Sequence, residues 1–223
     1  DMFYHRVSIL TGHYGTGKAE VSVNLALALA AEGEQVMLAD LDIVNPYFRS
    51  RERRPLLEKA GVRVISSSQA CSDADVPALP AELLTILENR EIRGILDIGG
   101  DPVGARVLAR FQPKIVQEDY QLIFVLNANR PEVRDAESAA AYLRSIEAVT
   151  GLTCSGLVNN THLCGETTPA EIRKGAAVAQ EVSRQTGIPI LCHTAERRFL
   201  ESLSDLGEPV FPIAINMKKP WER

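Results

Sequence analysis

Eight residues near the start of the chain, Gly12-His13-Tyr14-Gly15-Thr16-Gly17-Lys18-Ala19, have the types and spacing to hold an anion. Glycines let successive backbone N–H groups turn inward, the positive end of a following helix adds to them, and Lys18 supplies a full charge for the outer phosphates. The run lies between an apolar stretch, Val7-Ser8-Ile9-Leu10, and a helix-patterned stretch from Glu20 to Ala31, which is the setting a phosphate-binding loop requires. The expected ligand is a nucleoside triphosphate, held by Gly12, His13, Tyr14, Gly15, Thr16, Gly17, Lys18, Ala19 and Glu20, with Lys18 also taking part in the chemistry. The last loop position departs from the usual pattern: Ala19 stands where Ser or Thr would offer a hydroxyl to Mg²⁺.

Carboxylates that could complete such a site follow two later apolar runs. Asp40-Leu41-Asp42 places two acids two residues apart, on one side of an extended chain. Gly94-Ile95-Leu96-Asp97-Ile98-Gly99-Gly100-Asp101 ends another run on an acid, with two glycines free to let the backbone approach a terminal phosphate. Asp40 and Asp42 are both placed to face Mg²⁺ or its waters, and Asp97 is expected to bind the metal's water shell. Each acid taken singly is also an ordinary strand-end or helix-capping residue, so their joint placement carries the reading.

The elements that must position these groups alternate along the whole chain. Strand-like runs are expected at residues 6–11, 35–40, 62–66, 93–98, 121–127, 155–159 and 188–192, with a short C-terminal strand at 210–215. Helices are expected at 18–32, 80–90, 103–112, 132–149 and 169–186, the last two opened by Pro131-Glu132 and by Thr168-Pro169-Ala170-Glu171. This pattern predicts an α/β fold of three layers, αβα: a mostly parallel sheet of seven to eight strands with helices on both faces, in a single domain over residues 1–223. Ligands of such sheets collect at the carboxyl ends of the strands, where the named residues fall. The stretch 66–80 reads as a long surface loop.

Composition limits the partners. With 223 residues, 45% apolar and 24% charged, the chain has ordinary soluble-domain usage, and a net charge of −5 gives no general attraction to nucleic acid or anionic lipid. No apolar run reaches the roughly 20 residues of a membrane span, so a cytoplasmic location without stable membrane association is expected. Cys71, Cys154, Cys164 and Cys192 form no C-x-x-C pair, and the bland reading is free thiols, although Cys192-His193 and His162-x-Cys164 have short spacings of the kind metal ligands use. Arg49, Arg51, Arg53 and Arg54 crowd one segment; a solvated helix start is the plain reading and an arginine finger the sharper one.

In order along the chain, G-H-Y-G-T-G-K, D-L-D-I-V-N-P and L-D-I-G-G resemble the MinD/ParA/CobQ branch of the SIMIBI phosphate-loop nucleotidases, across almost the whole chain. The resemblance implies that Asp40 touches the Mg²⁺ shell, Asp42 positions or polarises the attacking water, and Asp97 is the Walker B acid. It also implies that the segments Asp42 to Arg54 and Gly99 to Ala105 act as switches, and that two copies sandwich nucleotide as a homodimer, with a further protein partner. Gly156-Leu157-Val158-Asn159-Asn160-Thr161 resembles the family segment whose Asn reads adenine. Asn160 aligns best, Asn159 is its neighbour, and Thr194 lies in the loop expected to cover the other side of the base. No N-K-x-D guanine reader occurs, so ATP is favoured over GTP.

Two departures from the family shape the expected activity. His13 replaces the lysine that often reaches across the dimer, and a histidine neutral near pH 7 does not replace a permanent cation. Ala19 removes a direct Mg²⁺ ligand. The expected function is a slow Mg-dependent ATPase acting as a nucleotide switch. The alternatives are a non-hydrolysing adaptor or sensor, and, beyond that, a GTPase-type metal-centre maturation factor or a small-molecule kinase or amidoligase.

Overall fold

The computed structural model describes residues 3–42, 53–66, 81–133, 135–162 and 166–214. Its strands are β1 (Val7–Thr11), β2 (Val36–Asp40), β3 (Arg63–Ser66), β4 (Arg93–Asp97), β5 (Tyr120–Leu126), β6 (Cys154–Asn159), β7 (Ile190–Glu196) and β8 (Val210–Ile213). They form one sheet in the order β3-β2-β4-β1-β5-β6-β7-β8, with every pairing parallel. The helices are α1 (Lys18–Ala31), α2 (Arg54–Lys59), α3 (Ala81–Glu88), α4 (Pro102–Ile115), α5 (Ala136–Thr150) and α6 (Pro169–Thr186).

The strands are buried on both faces, as parallel strands under helices must be. Along β1, Val7 and Ile9 join the core beneath α3 to α6, whereas Leu10 joins the opposite core, built on α1 with Leu57 of α2. Helix α1 is buried on most of its circumference, from Lys18 through Leu29, because its carboxamide at Asn24 also clasps the C-terminal segment: Nδ2 donates to the Ala214 carbonyl at 2.9 Å, and Oδ1 accepts from the Ala214 N–H at 2.9 Å. The central strands, β4, β1 and β5, therefore hold the start of α1 rigidly at their carboxyl ends.

The sheet and its two covering layers agree with the expected three-layer fold, with several boundary corrections. The helix start read at the arginine cluster is α2, with Arg53 as its cap and Arg54 in its first turn; the Arg54 guanidinium donates to the Val64 carbonyl at 2.9 Å and to Ser66 Oγ at 3.2 Å, tying α2 to β3. Arg49 and Arg51 lie outside the described residues. The helix expected from residue 132 instead begins at Ala136: Pro131–Val133 forms a separate 3₁₀ turn, and Asp135 caps α5 by accepting from the Ser138 N–H at 2.8 Å, which satisfies a first-turn donor that Pro131 cannot help with. The helix expected over 103–112 runs on to Ile115, started by Asp101 as cap and Pro102 in its first turn. The strand expected to end at residue 192 continues to Glu196, paired with β8 from His193 to Glu196, so the polar His193-Thr194 is sheet and not loop. Most of the segment 66–80 lies outside the described residues, as do Cys71 and Cys164.

Candidate functional site

The turn between β1 and α1 wraps the amino end of α1. Gly15 and Gly17 adopt φ of 80° and 77°, a left-handed conformation that glycine adopts without steric penalty. Gly17 is needed for a second reason: a Cβ there would lie 2.3 Å from Asn160 Nδ2. Thr16 is buried and folds its hydroxyl back to donate to the His13 carbonyl at 2.9 Å, closing the loop on itself.

Lys18, the first residue of α1, is only 2% exposed, and its ammonium points at the carboxyl ends of β2 and β4. It donates to Asp42 Oδ2 in a short ion pair and lies 3.5 Å from Asp97 Oδ1. Asp40 and Asp97 are register partners across β2 and β4, and the Asp42 N–H donates to Asp40 Oδ1 at 3.2 Å. The three acids are at most 4% exposed. Burial pulls the Lys18 ammonium down, but the carboxylates of Asp97, Asp42 and Asp40 together outweigh it and hold the group above the ordinary lysine value. One ammonium against three carboxylates leaves a formal surplus of two negative charges in a nearly closed space.

That surplus, presented entirely as hard oxygen donors, suits Mg²⁺. Among the described residues no group of three His, Cys, Asp or Glu side chains is arranged to enclose a metal alone. Ala19 is buried beside Lys18 and offers no hydroxyl. Asp40 and Asp97, the residues expected to act on magnesium through its water, both lie in this cluster.

The turn after β4 meets this loop directly. Gly100 N–H donates to the Gly12 carbonyl at 3.1 Å, and the Ile98 N–H to the Leu10 carbonyl at 3.0 Å. A Cβ on Gly99 would fall 3.1 Å from Asp42 Oδ1, and one on Gly104 would fall 1.9 Å from the Gly99 carbonyl oxygen, so the turn is pressed between the acids and α4. Asp101, beside Gly99, is the cap of α4, accepting from the Val103 and Gly104 N–H groups.

The candidate base side behaves differently at its two asparagines. Asn159 is fully buried and joins elements: Nδ2 donates to the Ile172 carbonyl at 3.1 Å and lies 2.9 Å from His193 Nδ1, while Oδ1 accepts from Thr161 Oγ1 at 2.7 Å. Asn160 belongs to the loop: Nδ2 donates to the Thr16 carbonyl at 2.7 Å, and Oδ1 accepts a short bond from Thr194 Oγ1. Reading a base with Asn160 requires exchanging these bonds. Cys192 is buried and His193 is committed to Asn159 and to Glu208 Oε2 at 3.0 Å, so this pair forms no metal site.

Sequence reasoning missed three side chains that meet the loop from other elements: Tyr142, Arg130 and His162. His13 is stacked on Tyr142 of α5, with ring centroids 3.5 Å apart and planes 16° apart. Arg130, in the turn after β5, lies over the Tyr14 ring at 5.5 Å and touches Gly15. His162 lies beside Gly17, its imidazole held below the usual histidine value by burial first and by the Arg130 charge second. The polar run Asn127-Ala128-Asn129-Arg130 closes a strand at the same sheet edge, which was the available signal for Arg130; nothing local in the sequence marks Tyr142.

Comparison with known proteins follows the same outline. No family profile matches the chain. The septum site-determining protein MinD of Helicobacter pylori is 24% identical over 239 aligned residues, covering 97% of this chain and 87% of that protein. The cytosolic Fe-S cluster assembly factor cfd1 of Emericella nidulans is 36% identical over 95 residues, 43% of this chain but 26% of the factor. The signal recognition particle receptor FtsY of Elizabethkingia anophelis, solved in complex with GDP, superposes with a TM-score of 0.52 at 18% identity, over 82% of this chain and 55% of that one. The chain is similar to MinD along almost its whole length and shares the α/β fold of the FtsY domain. The glycine loop and Lys18 follow β1, and the acids follow β4 beside it and β2 beyond β4, all at one carboxyl edge of the sheet. Among the described residues, no helix is long and apolar enough to cross a membrane.

Proposed function

We propose that this MinD/ParA-like domain binds Mg-ATP at the Gly12–Ala19 loop and hydrolyses it slowly, as a homodimeric nucleotide switch that acts on a further protein. The observation that carries the proposal is Lys18, a buried ammonium set against Asp40, Asp42 and Asp97 at the end of a glycine loop. Backbone N–H groups of the loop and the amino end of α1 bind the phosphates, and Lys18 exchanges Asp42 for an outer phosphate oxygen. Asp42, released by that exchange, orients the attacking water. Magnesium, when bound, would neutralise charge on the phosphates. The bond from Gly100 to Gly12 links the turn after β4 to the loop, so loss of the terminal phosphate is felt by Gly99 to Ala105. The preference for ATP rests on an amide at Asn160 and on the lack of an N-K-x-D run; GTP is the competing base.

A second reading, a nucleotide-holding adaptor for metal-centre maturation, is favoured by two observations. Ala19 gives no magnesium hydroxyl, and the partial match to cfd1, a cluster assembly factor by name, covers 43% of this chain. Turnover separates the two. Phosphate release above background that disappears in Asp42→Asn while Mg-ATP still binds supports the switch; tight binding with background release in both supports the adaptor.

A further inference from the structure

The charge around the loop is short of what a polyphosphate needs. Lys18 is already opposed by three carboxylates, His13 is turned onto the Tyr142 ring, and His162 is held neutral near pH 7. A permanent cation does reach the loop from another element. The turn after β5 is closed by the Arg130 N–H donating to the Asn127 carbonyl at 3.0 Å, and Asn127 Nδ2 donates to the Gly15 carbonyl at 3.3 Å, so turn and loop are joined. Across this joint the Arg130 guanidinium lies against Gly15: a Cβ added there would sit 2.9 Å from both Cζ and Nε. The Tyr14 ring, half exposed, lies beneath the guanidinium at 5.5 Å and limits its rotation.

Resting on the nucleotide reading above, we propose that Arg130 is a phosphate-binding residue, supplying from within the same chain the permanent positive charge that His13 does not. A planar guanidinium held against a loop whose amides cradle phosphate can engage two phosphate oxygens through parallel N–H donors. Gly15 is then required for two reasons, its left-handed φ and the close approach of Arg130, and Tyr14 acquires a role as the platform that holds the guanidinium. Fixing the side chain before the ligand arrives reduces the ordering entropy of binding.

The test measures binding of Mg-ATP and of inorganic tripolyphosphate to the wild type, Arg130→Gln and Arg130→Lys, together with the melting temperature of each without ligand. The expected result is that Arg130→Gln weakens both ligands by about ten- to a hundredfold, the loss of a charge-assisted contact. Arg130→Lys regains part of that affinity, and the ligand-free melting temperature of both variants stays at the wild-type value. Equal affinity in the wild type and Arg130→Gln overturns the assignment while leaving the nucleotide reading intact. A loss of affinity that comes with a lowered melting temperature and no recovery in Arg130→Lys also overturns it, marking Arg130 as a structural latch on Tyr14. A wild type that binds neither ligand removes the nucleotide reading itself, and this assignment with it.

Discussion

Lys18 is outnumbered by its acids, and this makes the consequence of removing it calculable. Lys18→Met keeps the length and most of the volume of the side chain but leaves Asp40, Asp42 and Asp97, each at most 4% exposed, with no buried ammonium between them. Removing one partner of a buried pair costs about 3–5 kcal/mol. In a domain of this size each kcal/mol moves the melting temperature by about 2–4 °C, so a fall of about 6–20 °C is expected without nucleotide. Asp42→Asn is the control: Lys18 keeps Asp97, the surplus charge drops from two to one, and stability changes by about 1 kcal/mol in either direction. Because the Lys18 pKa is raised, its contribution is fully present below the ordinary value of 10.5 and is lost only as the pH rises through the higher folded value. Scanning calorimetry at pH 7.5 therefore measures all of it. A fall in Lys18→Met no greater than in Asp42→Asn would refute the account of the buried cluster.

Gly175 of α6 faces the carboxyl end of β6, where an added Cβ would lie 1.9 Å from Thr161 Oγ1 and 2.3 Å from Asn159 Oδ1. Gly175→Ala is expected to lose about 1–3 kcal/mol to overpacking, more than the helix propensity of alanine returns, and a raised melting temperature would contradict this. His162 is held neutral in the fold, so the unfolded chain takes up its proton first as the pH falls below about 6.5, and stability drops with it. Melting curves at pH 7.5 and 5.5 should show a larger acid loss in the wild type than in His162→Gln; parallel curves would argue against a buried neutral imidazole. Burial pushes the Cys154 and Cys192 thiols up to about 12, so in a variant with Cys71 and Cys164 replaced by serine, iodoacetamide at pH 8 should label the protein only after unfolding.

Features that depend on local pattern were legible in the sequence. The loop and α1 follow from Gly12 to Lys18, and the strand-end acids from apolar runs that close on aspartate, because both signals are contiguous. Residues whose roles depend on what crosses the sheet edge were not. Thr194 resembled loop because His193-Thr194 is polar, yet β8 pairs beyond it and buries both. The helix start of α2 is legible at the arginine cluster, but that Arg54 turns its donors to β3 depends on the fold. Asn159 and Asn160 are adjacent in the chain and similar in chemistry, but only the fold separates the one that joins β6 to α6 from the one that holds the loop. Tyr142 and Arg130 meet the loop from elements more than a hundred residues away, which no spacing rule in the sequence could show.

Isothermal titration of the wild type and Lys18→Met with ATP and GTP, each with and without Mg²⁺, tests the central claim most directly. Saturable heat for Mg-ATP in the wild type, weaker for Mg-GTP and lost in Lys18→Met, is the predicted result. No heat with either nucleotide, or equal binding by Lys18→Met, would contradict it.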